Sequence, residues 1–145
     1  MASPETVLRR LLAGIANRDW ADLHALYAED ATVDYPFGLP TPSRLDGRAA
    51  IQAYFAAVSK APLSLVARDI VVRATDDPEV VVVEWTYDGE VTTTGRRFEA
   101  PNIQVSRVRE GLIVESRDYH NHLLLAAVTG RLDRVVAAFG EAVRP

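Results

Sequence analysis

The N-terminal part of the chain repeats apolar residues with the period of an α-helix. The apolar positions, spaced three and four apart, are Val7, Leu8, Leu11, Leu12 and Ile15. Such spacing places them on one helix face. Ser3 and Pro4 precede them, and both favour a helix start, because serine caps free amides and proline loses no hydrogen bond at the first helical position. The pattern therefore predicts an amphipathic helix from about Ser3.

The pattern changes three times before Pro62. A second helix is predicted from an Asp19 cap, with apolar residues at Leu23, Leu26 and Tyr27. The segment ATVDYPF (31–37) indicates a short strand, and GLPTPSRLDG (38–47) indicates a loop rich in proline and glycine. A third helix is predicted by the apolar face of Ile51, Tyr54, Phe55 and Val58.

After Pro62 closely spaced strands replace the helical pattern. Four strands are predicted, over 64–74, 79–91, 96–111 and 112–120. The turn residues between them are Asp76-Asp77-Pro78, Thr94-Gly95 and Glu110-Gly111. A C-terminal helix, interrupted near Gly130, follows. Helices followed by an antiparallel meander predict an α+β fold, in which the helices cover one face of the sheet.

The other face of this sheet also needs a cover. Four apolar residues are expected there: Ile103, Val105, Ile113 and Tyr119. A homodimer through this face would hide them. The alternative is that they are scattered surface hydrophobic residues of an ordinary kind.

Composition and charge narrow the classes of function. A chain of 145 residues with 48% hydrophobic and 25% charged residues is typical of one globular domain. The net charge of -4 lacks the positive field that nucleic acid requires. The absence of cysteine excludes disulfides and thiolate chemistry. With no apolar run long enough to cross a bilayer and no signal-peptide pattern, we expect no membrane partner and a cytoplasmic location.

The main functional signal is a set of polar residues on two neighbouring strands. Because side chains alternate along a strand, one face carries Asn102, Gln104 and Ser106, and one face of the next strand carries Ser116, Asp118 and His120. If the helices cover these faces, polar groups point into an apolar interior, which is costly and best tolerated where the group has a task. The alternative is a solvent-facing or internally satisfied set.

Asp118 and His120 stand two apart, so a carboxylate and an imidazole come together at a cavity. Desolvation would raise the pKa of Asp118 and make it a proton shuttle near neutral pH. His122 extends the pattern to D-x-H-x-H, which zinc or iron would accept. A helix starting near His122 would turn that side chain away, so we expect neither metal nor cofactor. His24 is expected on a helix surface.

Aromatic residues complete the predicted pocket. Tyr35 shares a strand face with Val33 and Phe37, and its hydroxyl could hydrogen-bond a carbonyl or an enolate. Trp85 and Tyr54 are expected to shape the pocket, although aromatic residues such as Trp85 and Tyr87 are also common in cores.

Three segments resemble the SnoaL-like branch of the nuclear transport factor 2-like superfamily. They are LYAEDATVDYPFG, DGRAAIQAYF and SRDYHNHLLLA. The resemblance implies a cone-shaped curved antiparallel sheet with helices on its concave face, enclosing a pocket, in proteins that often dimerise. It also implies a single SnoaL-like domain over residues 1–145, with a C-terminal helical extension from about residue 123.

The resemblance also bears on chemistry. ATVDYPFG is similar to the first-strand motif of ketosteroid isomerase, but Tyr35, Leu11 and Gln104 replace that enzyme's base, tyrosine and oxyanion-hole acid. SRDYHNH resembles segments of limonene-epoxide hydrolases and phenazine-biosynthesis proteins, where the acid matching Asp118 handles a proton. The hydrolase arginine has no counterpart in VVEWTYDG.

These observations predict a cofactor-independent enzyme of small-molecule, secondary metabolism, similar to polyketide cyclases and isomerases. Asp118 would move a proton, His120 would orient or tune Asp118, and Tyr35, Asn102 and Gln104 would hydrogen-bond substrate oxygens. Substrate-binding residues would be Asn102, Gln104, Trp85, Tyr54 and Ser116. The substrate would be a small apolar or polycyclic organic molecule. Two alternatives remain open: an epoxide hydrolase with a rearranged triad, and a non-catalytic ligand-binding protein.

Overall fold

A computed structural model describes all 145 residues. The α-helices are α1 (Pro4–Ala16), α2 (Arg48–Val58), α3 (His122–Val128) and α4 (Leu132–Ala142). The strands are β1 (Tyr27–Tyr35), β2 (Ser43–Asp46), β3 (Leu63–Ala74), β4 (Val80–Val91), β5 (Arg96–Arg109) and β6 (Leu112–Tyr119). The helices and the curved six-stranded sheet confirm the predicted α+β class.

The sheet has the strand order β2-β1-β6-β5-β4-β3. Strands β3 to β6 form the antiparallel meander that the short turns predicted. Strand β1 pairs parallel with β6 and antiparallel with β2. This parallel pair joins segments far apart in the sequence, so no turn residue indicates it.

The first predicted helix is correct, and the second is wrong. The Ser3 hydroxyl accepts a hydrogen bond from the amide of Thr6 and so caps α1. The predicted second helix is a single 3₁₀ turn, Leu23–Leu26, after which Tyr27 enters β1. Tyr27 is buried and lies opposite Ile113 of β6. Long-range strand pairing therefore overrides the local helical period at this point.

The predicted loop 38–47 contains a strand that the proline and glycine content concealed. Strand β2 pairs with β1 and places Arg44 opposite Asp34. The guanidinium of Arg44 binds both carboxylate oxygens of Asp34, at 2.7 and 3.1 Å. This bidentate pair holds the edge strand against β1.

A β-bulge in β6 decides which residues face the core. Arg107 lies opposite Glu115 but Val108 lies opposite Ile113, which leaves Val114 without a partner. The extra residue reverses the alternation, so Ile113 is fully buried in the core rather than on the outer face. The expectation for Ile113 is therefore wrong. Of the other three, Ile103 is exposed and Val105 and Tyr119 are half-buried.

The homodimer through this outer face stays a prediction. None of the helices is both long and apolar enough to cross a membrane.

Helices α1 and α2 cover the inner face of the sheet. The buried face of α1 consists of Val7, Leu8, Leu11 and Leu12, and they join one core cluster with the inward side chains of β4, such as Val83 and Trp85.

Two helical glycines provide a matched test of this packing. A Cβ at Gly14 in α1 would run into the side chain of Leu23, which is buried and has little room to move. A Cβ at Gly140 in α4 would meet no atom within 4 Å. Overpacking costs about 1–3 kcal/mol, whereas replacing glycine by alanine in a helix gains at most about 1 kcal/mol.

We therefore expect Gly14→Ala to lower the free energy of unfolding and Gly140→Ala to raise it slightly. Urea denaturation of the wild type and both variants measures the two changes. Equal effects of the two substitutions would contradict the packing of α1 against Leu23.

Candidate active site

An internal cavity of about 520 Å³ lies between the helices and the concave face of the sheet. Of the 26 residues that line it, 18 are hydrophobic, so the wall is largely apolar. Its polar part comes mainly from the middle of β5 and from the C-terminal end of β6 with the residue after it: Asn102, Gln104, Asp118 and His120. A few polar groups in an apolar cavity are typical of a small-molecule site.

Strand alternation positions the polar residues as the sequence predicted. Asn102, Gln104 and Ser106 of β5 are buried, and so are Ser116 and Asp118 of β6. The antiparallel register places Gln104 opposite Asp118 and Ser106 opposite Ser116. The four side chains therefore meet as two cross-strand pairs.

Hydrogen bonds join these four residues into one chain. Gln104 Nε2 donates to Ser106 Oγ at 3.0 Å, the two serine oxygens lie 2.9 Å apart, and Ser116 Oγ donates to Asp118 Oδ1 at 2.6 Å. Each hydroxyl has a single proton. Since Ser116 gives its proton to Asp118, Ser106 must give its own to Ser116. The chain therefore runs from the amide to the carboxylate and engages Oδ1, while no protein group bonds Oδ2.

Burial dominates the ionisation of Asp118. Desolvation raises the pKa of its carboxyl to about 7, with a smaller raising effect of the Asp34 charge, while the hydrogen bond from Ser116 lowers it. At neutral pH the group thus exists in both protonation states. A carboxyl with such a pKa can take and return a proton near neutral pH.

His120 does not hold Asp118 as the sequence suggested. Its Nε2 is buried without a hydrogen-bond partner, and Ser116 supplies the bond on the carboxylate. Burial, with a lesser contribution from His122, lowers the pKa of His120 to about 4, so the imidazole is neutral at pH 7. Its ring lies between those of Tyr35 and Trp85, at 6.0 and 6.4 Å between centroids.

Four tyrosine side chains line the cavity, three from the sheet and one, Tyr54, from α2. Tyr35 of β1 and Tyr54 of α2 line the cavity, as expected, with their ring centroids 5.6 Å apart. Tyr27 and Tyr87 also line it and were not predicted as pocket residues. Burial raises the pKa of all four phenols. They remain protonated at neutral pH and can donate hydrogen bonds.

Other expected residues lie elsewhere. Trp85 belongs to the core cluster, and Ser116 lies behind Asp118, so neither lines the cavity. Phe37 follows the end of β1, is 65% exposed and contacts Tyr119 outside the cavity. His24 lies in the 3₁₀ turn, half-buried. The alternation of side chains along a strand could not predict these positions. It does not apply beyond the end of a strand, and it does not distinguish residues that line a cavity from residues that pack in a filled core.

His122 begins α3 but does not turn away from the site. Its ring lies 5.9 Å from that of His120 and 5.8 Å from that of Tyr35. No group of three His, Asp or Glu side chains converges where it could hold a metal ion. Arg131, after α3, lines the cavity, whereas His122 does not. Neither its position nor that of His122 could be inferred from strand alternation.

Comparison with known proteins places this site in a family. The sequence model of the SnoaL-like domain matches residues 8–116, which is most of the chain. The chain belongs to the SnoaL-like family. The resemblance recognised in the sequence is thus confirmed. Most of the cavity of this SnoaL-like protein is lined by matched residues, whereas Asp118 and the lining residues after it lie beyond the match.

Individual relatives agree with the assignment. The uncharacterized protein YesE of Bacillus subtilis is 32% identical over 125 residues, which cover 85% of this chain and 84% of YesE. A crystal structure from Bacillus subtilis, provisionally named an isomerase, is 30% identical with a TM-score of 0.78 and covers 86% of this chain and 91% of that one. A Xanthomonas campestris structure, provisionally named a polyketide cyclase, is 25% identical with a TM-score of 0.71, covering 89% and 96%.

The hydrogen bond from Ser116 gives a prediction for the titration of Asp118. Ser116→Ala removes a donor that stabilises the carboxylate, so the pKa of Asp118 should rise by about one to two units, since hydrogen bonds to charged groups contribute roughly 1.5–3 kcal/mol. A pH titration of the side-chain carboxyl by ¹³C NMR measures it. Ser59→Ala is the control, because that hydroxyl bonds only the carbonyl of Ala56. An unchanged or lower pKa in Ser116→Ala would contradict the network.

Burial of Asp118 should also make stability depend on pH. A carboxyl whose pKa rises on folding stabilises the protein fully below the ordinary value of 3.8, and this contribution is lost as the pH rises through about 7. The interval of about 3 pH units corresponds to roughly 4 kcal/mol.

The difference in unfolding free energy between the wild type and Asp118→Asn should therefore shift in favour of the variant from pH 4 to pH 8. Urea titrations at several pH values measure this difference. A difference that stays constant over this range would show that Asp118 is not buried as described.

Proposed function

We propose that this SnoaL-like protein is a cofactor-independent enzyme that moves a proton at a carbon next to a carbonyl, in an isomerisation or an intramolecular cyclisation. Its substrate is a small, largely apolar organic molecule. Asp118 is the general acid and base. The observation that carries the proposal is a single carboxyl group, with a pKa of about 7, in an apolar cavity.

The geometry assigns different tasks to the two oxygens of Asp118. Oδ1 is engaged by Ser116, which fixes the orientation of the carboxylate. Oδ2 has no protein partner and is not among the buried polar atoms that lack one, so it is the oxygen open to the cavity. It is therefore the atom that exchanges a proton with the substrate.

The reaction begins when Asp118 Oδ2 takes a proton from the carbon next to the carbonyl. The resulting enolate oxygen accepts a hydrogen bond from a tyrosine hydroxyl, for which Tyr35 of the neighbouring strand β1 and Tyr54 of α2 are the candidates. In an isomerisation, the protonated Asp118 returns the proton to another carbon. In a cyclisation, the enolate carbon attacks a second carbonyl, and Asp118 gives the proton to the new alkoxide oxygen.

His120 has a lesser role in this scheme. Because its imidazole is neutral and its Nε2 is buried, it supplies no positive charge to the substrate and contributes to the cavity wall. The shape of the cavity also accelerates the reaction, because it holds a flexible substrate in a reactive conformation. The names of the relatives, an isomerase and a polyketide cyclase, agree with chemistry of this kind.

Hydrogen exchange tests the proposed step without knowledge of the natural substrate. With 2-tetralone in D₂O, the wild type should accelerate deuterium uptake next to the carbonyl, with a rate that rises with pH through about 7. Asp118→Asn should slow the catalysed exchange by about 10²–10⁴-fold, the usual contribution of a general base. Mass spectrometry of the recovered ketone measures the uptake.

The matched control is Asp88→Asn, which removes a carboxylate that pairs with Arg68 at the surface; its exchange rate should equal that of the wild type. If Asp118→Asn retains full exchange, acid-base catalysis by Asp118 is wrong. Binding of the ketone without exchange would favour a ligand-binding protein. Incorporation of ¹⁸O from water into an epoxide would favour a hydrolase.

A further inference from the structure

We propose that the β5 wall of the cavity is a hydrogen-bond acceptor surface, which selects substrates that carry hydroxyl or N–H groups on the side facing it. The surface consists of the side-chain oxygens of Asn102 and Gln104. The inference rests on the proposed function, because the ligand is the substrate in the same cavity, but it concerns recognition and does not depend on the chemical step.

The orientation of Asn102 follows from its one side-chain hydrogen bond. Its Nδ2 donates to the carbonyl oxygen of Ala100 at 2.7 Å. The opposite orientation of the amide would bring two oxygen acceptors to this distance, which is repulsive. The nitrogen is therefore the end held against the strand, and Oδ1 is the end turned away from it. Asn102 lines the cavity, and Oδ1 is not among the buried atoms that lack a partner.

The orientation of Gln104 follows from counting protons along the serine chain. If its amide were reversed, Ser106 would donate to Gln104 Oε1, and Ser116 would still donate to the carboxylate of Asp118. Neither hydroxyl would then have a proton for the other, although the two serine oxygens lie 2.9 Å apart. Only the arrangement with Gln104 Nε2 on Ser106 satisfies all three contacts while Asp118 is ionised. While Asp118 is ionised, which is its main form above pH 7, Gln104 Oε1 is therefore free to face the cavity.

Both amides thus direct their nitrogens to the protein and their oxygens to the ligand. With the Asp118 carboxylate, three acceptors lie along β5 and β6. Tyr54 of α2, on the helix side of the cavity, is a donor, because its phenol stays protonated. The cavity therefore distinguishes two sides of a substrate: a carbonyl fits Tyr54 on the helix side, and hydroxyl or N–H groups fit the β5 wall.

The spacing of the acceptors adds a second constraint. Asn102 and Gln104 are two residues apart on one strand, so their side chains leave the backbone roughly 7 Å apart. Two donors on the same edge of a ring system match this spacing better than two donors on adjacent atoms. The inferred substrate class is a neutral, mainly apolar molecule with separated hydroxyl or N–H groups along one edge and a carbonyl on the other.

Two probes of nearly the same shape test the inference by binding alone. In 2,7-dihydroxynaphthalene, two hydroxyls stand on one edge at a suitable spacing, and 2,7-dimethoxynaphthalene replaces both donors with ether oxygens. The wild type should bind the diol at least tenfold more tightly, measured by the quenching of naphthalene fluorescence or by calorimetry. Burial of apolar surface alone favours the dimethoxy compound, so the expected preference is opposite to the hydrophobic trend.

Two variants assign the preference to the amides. Asn102→Leu and Gln104→Met have similar size and no acceptor, and each should reduce the preference for the diol several-fold. Gln52→Met is the control, because it removes an exposed amide of α2 outside the cavity and should leave that preference in place. Circular dichroism confirms that each variant is folded.

The inference is overturned if the wild type binds the dimethoxy compound as tightly as the diol, a result that needs no variant. It is also overturned if folded Asn102→Leu and Gln104→Met keep the full preference. Failure of the proposed catalysis would appear differently, as unchanged deuterium exchange in Asp118→Asn. The two proposals can therefore fail separately.

Discussion

The site depends on the burial of one carboxyl group beneath an apolar wall. Isolation from water raises the pKa of Asp118 to about 7, and the hydrogen bond from Ser116 keeps its ionised form accessible. A carboxylate without that bond would remain protonated over more of the physiological range. Ser116 in turn depends on Ser106 and Gln104 for its own orientation. The chemistry of the cavity therefore rests on a polar chain that lies mostly behind its surface.

This chain exists only because β5 and β6 pair in one register. Gln104 opposes Asp118 and Ser106 opposes Ser116, so a shift of one residue would turn Ser116 and Asp118 to the outer face. Because of the bulge at Val114, β6 keeps this register at Ser116 and Asp118 and still buries Ile113 in the core. The bulge allows Ile113 to be buried on the same side as Ser116, although the two are three residues apart. A local irregularity in one strand thus satisfies both packing and the site.

Much of the site was predictable, because strand alternation is a local property. Asn102, Gln104 and Asp118 were found because alternation along each strand turns them to the inner face, and all three line the cavity. Alternation could not show that Trp85 faces the packed core, since residues that face a filled core and residues that face a cavity have the same sequence pattern. We predicted that His120 orients Asp118 because the two residues are two apart in the sequence. In the structure, the hydrogen bond to the Asp118 carboxylate comes from Ser116.

The sequence by itself determined the α+β class, the meander from β3 to β6, the helix that begins after Ser3, and the polar residues that share a strand face. Each of these follows from contacts between neighbours in the chain. Three features emerge only in the folded molecule: Tyr27 starts a strand, β1 pairs parallel with β6, and tyrosines from β1, α2 and β4 line the cavity that contains Asp118. These features depend on packing between distant segments, where the gain from burial exceeds local conformational preference.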